Sequence, residues 1–526
     1  MQGVDVLLAT RGDFAEGATA GSSRMIHGGL RYLEQSEFRL VREALHERNR
    51  LLINAPHFVK PLRTTIPIFS WVGGLREAVS KLIGLPARTG NRGALWVKIG
   101  LSLYDWYVRK DQALPRHAFL SGRRIRQRLP EIRAEIKCAA VYHDAWVTHP
   151  ERLCYELIVD SRKANPNAFA LNHTPIVGID RGAVMLRHEP TGETYRVNPR
   201  VVINATGGWI DEVNATIGKP TEYIGGTKGS HLVLNHPKLR STLDGEILYE
   251  NPDGRVCLVF PFHDRVIVGT TDVPVRSPDE AKCDDAEIKY ILESVRGILP
   301  GVEIDRSHVV SHYCAVRPLP RSNAATPGQV SRDHSCRVEE PDEHRTFPVL
   351  SLVGGKWTTF RAFAEQVTDL VLARLGRDRK FSTAETPIGG GRDFPSDAAG
   401  CVAWISQIRA LSELDPKRRE MLLERYGTRC RDIAEFICAG SDEDIATLPG
   451  YSRREIEYIA THEDVTHLDD LVVRRLNVVL LGHIDRAAVT ELATICGKTL
   501  GWDAACRTME ITRTLDILER DLGLSL

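Results

Sequence analysis

Ser22-Ser-Arg-Met-Ile-His-Gly-Gly-Leu-Arg-Tyr-Leu33 follows a short strand-like run, Val4–Ala9, and packs two hydroxyls, a glycine pair, a histidine, two arginines and a tyrosine into twelve positions. A glycine pair lets backbone approach a flat or phosphorylated ligand closely. Hydroxyls and free N–H groups suit a pyrophosphate. A polar loop ahead of an ordinary helix has the same composition, so this stretch alone leaves both readings open. Phe38, Val41, Leu45 and Leu52 then recur at helical spacing, which predicts a helix with one apolar stripe directly after the loop.

Working outward, residues 172–206 read as β-rich, with strands at Ile176–Ile179, Ala183–Arg187 and Val201–Asn204 and a hairpin turn at Glu189–Glu193. Val256–Phe260 and Arg265–Gly269 read as paired strands across Pro261–Asp264. Pro348–Val353 reads as a buried strand that enters Gly354-Gly355 and a helix from about Arg361 to Leu375. Such a strand, glycine turn and helix leave free N–H groups at the helix start. Gly389–Gly391 lies between Pro387 and Pro395 without a preceding strand and reads as a linker. Residues 397–526 read as wholly helical, the last helix spanning about Ala504–Leu522 with Met509, Leu515, Ile517 and Leu518 placed for packing. His462, His467 and His483 lack metal-ligand spacing, and no metal is expected.

Residues 22–34 closely resemble the segment S-S-x-x-I-H-G-G-L-R-Y-L-E of the FAD-dependent, aerobic glycerol-3-phosphate dehydrogenases. Asn204-Ala-Thr-Gly-Gly-Trp209, Lys228-Gly-Ser-His231, Gly269-Thr-Thr-Asp272, Val316-Arg-Pro-Leu319, Ser331-Arg-Asp333 and Gly354-Gly-Lys-Trp-Thr-Thr359 recur in family order. The resemblance covers residues 4–376 and, more loosely, the C-terminal part. It implies an α/β plus all-α protein: a Rossmann-like FAD-binding domain, an antiparallel-sheet substrate domain and a C-terminal helical domain. The expected oxidoreductase region is 1–385, its cofactor domain formed by 1–60, 140–210 and 340–380, with a linker at 386–396 and the helical domain at 397–526. The sequence opens at what corresponds to the family's second strand. The first strand and G-x-G-x-x-G turn of a dinucleotide-binding unit lie outside it. Thr10 stands where the family has a ribose-binding acid. The expectation is an N-terminally truncated cofactor domain that holds FAD poorly, with a downstream-assigned start as its source.

Oxidising a secondary alcohol needs a hydride acceptor, a base and an anchor. The acceptor must be a cofactor, since side chains do not accept hydride. A phosphate anchor calls for Arg and Lys. The resemblance assigns Arg31, Tyr32, Arg317, Arg332 and Lys356 to the substrate, with His27 as the leading base and Arg317 stabilising developing negative charge. His27 also reads as a structural or flavin-contacting residue. The resemblance places Thr19, Ser22, Ser23, Gly28, Gly29, Gly207, Gly355, Lys356, Trp357 and Thr358 against FAD. It implies oxidation of sn-glycerol 3-phosphate to dihydroxyacetone phosphate, with electrons passed to quinone. An oxygen-using oxidase, an amino-acid or 2-hydroxyacid oxidase, and a non-catalytic apo form stay open as alternatives.

The composition is that of an ordinary globular chain: 526 residues, 42% hydrophobic and 26% charged. Lys plus Arg equals Asp plus Glu at 69 each, so no global charge points to nucleic acid. Eleven Cys are scattered without a C-x-x-C pair, which suits reduced thiols in a cytosolic setting. No secretory leader and no apolar run near membrane-spanning length is seen. Residues 60–110 differ from the rest, with nine Lys or Arg against Glu77 and Asp105, a balance of +7, and Trp71, Trp96, Tyr104, Trp106 and Tyr107 among them. Basic aromatic helices lie well on anionic membranes. The expectation is a cytoplasmic protein held peripherally on the cytoplasmic membrane, where the family meets quinone; a homodimer stays open.

Overall fold

The computed structural model describes residues 1–35, 37–71, 93–322 and 330–526, and of Arg31, Glu34 and Gln35 the backbone only. From the N-terminus, β1 (Val6–Ala9) leads through the Ser22–Leu33 stretch to α1 (Phe38–Asn54). β2 (Val59–Ile68), α2 (Ala94–Tyr107), β3 (Cys138–Val147), α3 (Pro150–Ala164) and β4 (Ala168–Leu171) follow. A three-stranded meander at 176–197 precedes β5 (Val202–Asn204). Next come β6 (Thr227–Leu234), β7 (Glu246–Glu250), β8 (Val256–Phe262), β9 (Arg265–Gly269), α4 (Asp285–Ile298) and β10 (Val309–Arg317). β11 (Val349–Val353) and α5 (Phe360–Arg374) follow, and the elements after them are helices.

Two parallel pairs belong to small sheets of their own. β1 pairs with β4 from Val6↔Ala168, and β5 pairs with β11 from Val202↔Val349. The largest sheet is ten-stranded and mixed, with β6, β9, β8, β7, β2 and β3 side by side and β10 on β6. Only β7 and β2 run parallel within that set, with Glu246 opposite Thr64.

Strand alternation sends the two faces of this sheet to different partners. Leu258, Phe260 and Phe262 of β8 and Ile267 of β9 pack on the C-terminal helices. Cys257, Val259, Val266 and Val268 pack on α4. α4 presents Ile288, Ile291, Leu292, Val295 and Ile298, a helical stripe, and its start is closed by an Asp284–Glu287 capping box. Each fully buried Phe or Leu here contributes roughly 1.5–3 kcal/mol.

The strands expected at 176–206, at 256–269 and at 348–353, and the helices at 38–54 and 504–522, are present. One expectation needs correction. Met509 is 65% exposed, because the inward face of its helix carries Glu510, Thr514, Leu518 and Leu522 instead. Gly389–Gly391, expected as a linker, is close-packed. The Gly389 N–H donates to Asp160 at 2.7 Å, the Gly390 N–H donates to Glu156 at 2.9 Å, and a Cβ on Gly390 would collide with the Tyr426 carbonyl.

The helical domain is also tied down by buried charge. Arg475 and Arg474 sit on a single π-helical turn, Asp470–Arg475, and both reach the Asp13 carboxylate, at 2.7 and 2.6 Å. Arg152 of α3 clasps Glu463 through two bonds of 2.9 and 2.8 Å. His173 and Arg474 meet Asp470 at 3.0 and 2.9 Å. Asp13, His173 and Asp470 have metal-ligand spacing, but the two guanidiniums already neutralise these carboxylates.

Replacing Asp13 with Asn leaves two buried guanidiniums without their shared carboxylate. The expected loss is about 3–5 kcal/mol, read by denaturant unfolding; a loss below roughly 1 kcal/mol would match a surface site instead. Burial alone would raise Asp470 and Glu463, but His173 and Arg474 hold the first below its usual range, and Arg152 does the same for the second. Their stabilisation is therefore complete above about pH 5 and is lost as pH falls through the depressed values.

Candidate active site

The Ser22–Leu33 stretch is shaped by two buried anchors. Arg24 adopts φ +60° and sends its guanidinium to Glu151 at 2.8 Å and to the Thr148 carbonyl at 3.1 Å. That turns Ser22 and Ser23 toward a cavity. Asp144 of β3 is the second anchor. Its carboxylate accepts from Arg48 at 2.8 Å, from the Tyr104 hydroxyl at 2.6 Å and from the Gly28 N–H at 3.3 Å. The Gly28 N–H also reaches the Tyr104 oxygen at 2.9 Å, and a Cβ there would lie 2.5 Å from Leu45 and Tyr104. Gly28 is thus required by packing, and its N–H is engaged by the protein.

Two cavities meet at this loop. The inner one, about 190 Å³, is lined by Ser22, Ser23, His231, Gly355, Trp357 and Thr358 among others. The outer one, about 280 Å³, runs past Tyr142 and Asp144 to Glu246 and Arg255. They share His27, Tyr32, Arg317 and Arg332. A larger cavity of about 740 Å³ lies between sheet and helical domain, but its arginines Arg152, Arg425 and Arg475 are each paired with a carboxylate.

The inner cavity fits a flat, hydrogen-bonding ring. Gly354 and Gly355 take φ +77° and +96°, conformations that a side chain would strain. His231 is buried and stacked on Tyr313, and both of its ring nitrogens lack a protein partner. Burial, with Arg317 and Arg24 nearby, drives its pKa down to about 3, so the ring is neutral. Such orphaned polar atoms call for a ligand.

Three cations, Arg317, Arg332 and Lys356, line the inner cavity, and the first two also line the outer one. Arg317 ends β10 and bonds Asp272, the Thr270 hydroxyl and the Thr271 carbonyl, each at 3.1 Å. A Cβ at residue 229 would collide with this guanidinium, so Gly229 makes its room. Burial lowers Arg317 to about 10, against the pull of Asp272. The Lys356 ammonium donates to the His27 carbonyl at 2.9 Å and lies 4.8 Å from the Tyr32 ring centre. Burial lowers it to about 7, with Asp144 opposing and Arg332 reinforcing. Burial, then Lys356 and Arg332, pushes the His27 imidazole well below its ordinary value. Arg317 is paired with Asp272, whereas Lys356 and Arg332 have no ion-pair partner among the described residues, which leaves a cationic corner beside a neutral imidazole, suited to an anion.

Of the expected residues, the structure brings His27, Tyr32, Arg317, Arg332, Lys356, Ser22, Ser23, Gly355, Trp357 and Thr358 to the joined cavities, and Gly29 to the outer one. Gly28, Thr19 and Gly207 line neither. The Arg31 side chain lies outside the described residues. Asp144 and Glu246 match no motif, and Tyr104, expected among the membrane-facing aromatics, is buried against the glycine pair instead. His231 closes the motif Lys228–His231, in which Gly229 marks a close approach. Glu246 and Asp144 carry no local signature, since they meet only through β2 and β3.

A family model described as FAD dependent oxidoreductase matches residues 1–370, and one described as C-terminal domain of alpha-glycerophosphate oxidase matches residues 381–507. A glycerol-3-phosphate dehydrogenase of Synechocystis sp. is 30% identical over 99% of this chain and 93% of its own. A D-erythritol 1-phosphate dehydrogenase of Brucella abortus is 29% identical over 93% of both chains. The solved glycerol-3-phosphate dehydrogenase of Bacillus halodurans, complexed with FAD, shares the fold at a TM-score of 0.73 and 20% identity, covering 98% of this chain and 90% of that one.

The cationic corner has a measurable signature. Lys356 is charged below about pH 7 and neutral above it. Sulfate, whose charge is constant across this range, is expected to bind most tightly below pH 6 and to weaken as pH rises through 7. Lys356→Arg keeps the charge and should remove the pH dependence. Calorimetry from pH 5.5 to 8.5 tests this; a flat wild-type profile would place Lys356 outside the anion site.

Proposed function

From the premise that the chain belongs to the FAD-dependent glycerol-3-phosphate dehydrogenase family, we propose that it oxidises sn-glycerol 3-phosphate to dihydroxyacetone phosphate and passes the electrons to a quinone. One observation supports the substrate reading: Lys356, Arg317 and Arg332 all line the inner cavity, and the last two also line the outer one that opens from it. The relatives' names, for glycerol 3-phosphate and D-erythritol 1-phosphate, are both phosphate esters of polyols.

FAD, when bound, supplies the two-electron acceptor. Gly355, Trp357, Thr358, Ser22, Ser23 and His231 line the cavity that would hold it. The three cations bind the phosphate and fix the alcohol carbon. His27, neutral in the empty site, takes the hydroxyl proton on its imidazole. A bound dianion offsets Lys356 and Arg332, the charges that help to depress His27, and so raises its basicity where the proton is released. Arg317 stabilises negative charge that develops on the substrate oxygen.

Support for a membrane acceptor comes from α2. It buries Ala94, Val97, Leu101 and Tyr104, yet its outer face exposes Leu95, Trp96, Ile99 and Trp106 beside Lys98. Trp71, Arg109 and Lys110 extend the same basic aromatic region. Among the described residues no helix is long and apolar enough to cross a membrane. A peripheral position on the cytoplasmic face follows from this reading, with α2 in the headgroup layer. Arg76, Lys81, Arg88 and Arg92, which belong to the +7 segment, lie outside the described residues.

Two measurements test the proposal. Arg317→Ala in flavin-loaded protein should lower kcat/KM for glycerol 3-phosphate by about 1.5–3 kcal/mol in transition-state terms, with unfolding little changed; equal efficiency would remove Arg317 from the pocket. In flotation, wild type should rise with anionic vesicles at low salt. A variant with Trp96 and Trp106 changed to Ser and Lys98, Arg109 and Lys110 changed to Gln should stay down, each basic residue contributing roughly 1 kcal/mol. Equal flotation of both would make α2 an ordinary face.

A further inference from the structure

The outer cavity has an acid end as well as a cationic one. Glu246 opens β7 and is 5% exposed. One carboxyl oxygen accepts from the Thr64 hydroxyl at 2.7 Å, and no cation lies within ion-pair reach among the described residues. A buried, unpaired carboxyl is costly, and burial raises its pKa to about 7. Among the described residues the Thr64 hydroxyl is its one hydrogen-bond donor. Tyr142, Asp144 and Glu250 line the same wall, while Leu248 and Leu258 form the middle of the cavity.

The register sets the span. Arg317 holds the Thr270 hydroxyl, one residue past Gly269, which faces Leu258 across β8 and β9. Leu258 in turn faces Leu248 on β7. Glu246 lies two residues before Leu248, so it is two strands across and about three residues along from Thr270. At ~4.8 Å per strand and ~3.4 Å per residue, each component is ~10 Å. A three-carbon alcohol whose phosphate sits at Arg317 ends short of Glu246 and leaves that part of the cavity unfilled.

We propose that this end of the cavity is a distal hydroxyl subsite, and that the protein also oxidises phosphate esters of polyols with four or more carbons, their far hydroxyls donating to Glu246. This rests on the reading that Lys356, Arg317 and Arg332 hold the phosphate. The reaction is unchanged: a secondary alcohol carbon becomes a carbonyl, its hydride leaves to the bound cofactor, and its proton leaves to His27. Glu246 positions the tail and takes no part in the transfer.

The test compares flavin-loaded wild type on sn-glycerol 3-phosphate and on four-carbon tetritol 1-phosphates. The four-carbon esters should be oxidised with kcat/KM within threefold of the three-carbon substrate or above it. Glu246→Leu should lower the four-to-three-carbon ratio of kcat/KM at least tenfold, mostly through KM, and Glu246→Gln, which keeps an acceptor oxygen, should lower it by less. Thermal shifts with both esters report binding without turnover. Oxidation of the three-carbon ester with no turnover or binding of the four-carbon one overturns the subsite alone. An unchanged ratio in both variants overturns the role of Glu246. If neither ester binds or reacts with wild type, the phosphate reading falls and the subsite with it.

Discussion

The Asp13 carboxylate, shared between Arg474 and Arg475, is the contact on which the joining of the two halves depends. It lies in the loop that runs from β1 to Ser22 and Ser23, so the same residue that seats the helical domain also fixes the entry to the site. Around it, Arg152 with Glu463 and His173 with Asp470 complete a buried set of opposite charges. Separated from its partner, each member would be a desolvated ion, and such ions favour a single docking geometry over looser ones. Apolar packing of β8 on the C-terminal helices supplies much of the affinity but little of the orientation, because hydrophobic contact is not directional.

Within the site, Asp144 does for the loop what Asp13 does for the domains. One carboxylate gathers α1 through Arg48, α2 through Tyr104 and the glycine pair through the Gly28 N–H. α2 is therefore at once a wall of the site and the face with exposed tryptophans. Tyr104 on its inner side and Trp106 on its outer side are two residues apart. A surface that bears on α2 would bear on the loop holding His27.

Desolvation then sets the chemistry. Lys356 near 7, Arg317 near 10 and a neutral His27 all arise because burial penalises charge while cations crowd one corner. The corner is held in tension by design of the packing: Gly229 makes room for Arg317, and the His27 carbonyl accepts from Lys356. An anionic ligand would relieve that repulsion, so the unliganded corner favours negative charge.

Local sequence determined the elements. The stripe Phe38–Leu52, the Val256–Gly269 hairpin and the Ala504–Leu522 helix each appear where periodicity placed them, because 3.6- and 2-residue repeats need only neighbours to be read. The motif resemblance likewise points His27, Arg317, Arg332 and Lys356 to one pocket, and in the fold all four line the inner cavity. Tertiary structure decided the rest. Met509 is exposed because burial depends on which face meets a partner, not on the residue's own helix. Gly389–Gly391 is a joint because Glu156, Asp160 and Tyr426 approach it from elsewhere in the chain. Glu246 and Asp144 gain their meaning only when β7, β2 and β3 lie side by side. Periodicity carries information over a few residues, whereas desolvation, pKa and cavity shape depend on atoms hundreds of residues apart that become neighbours only when the chain folds.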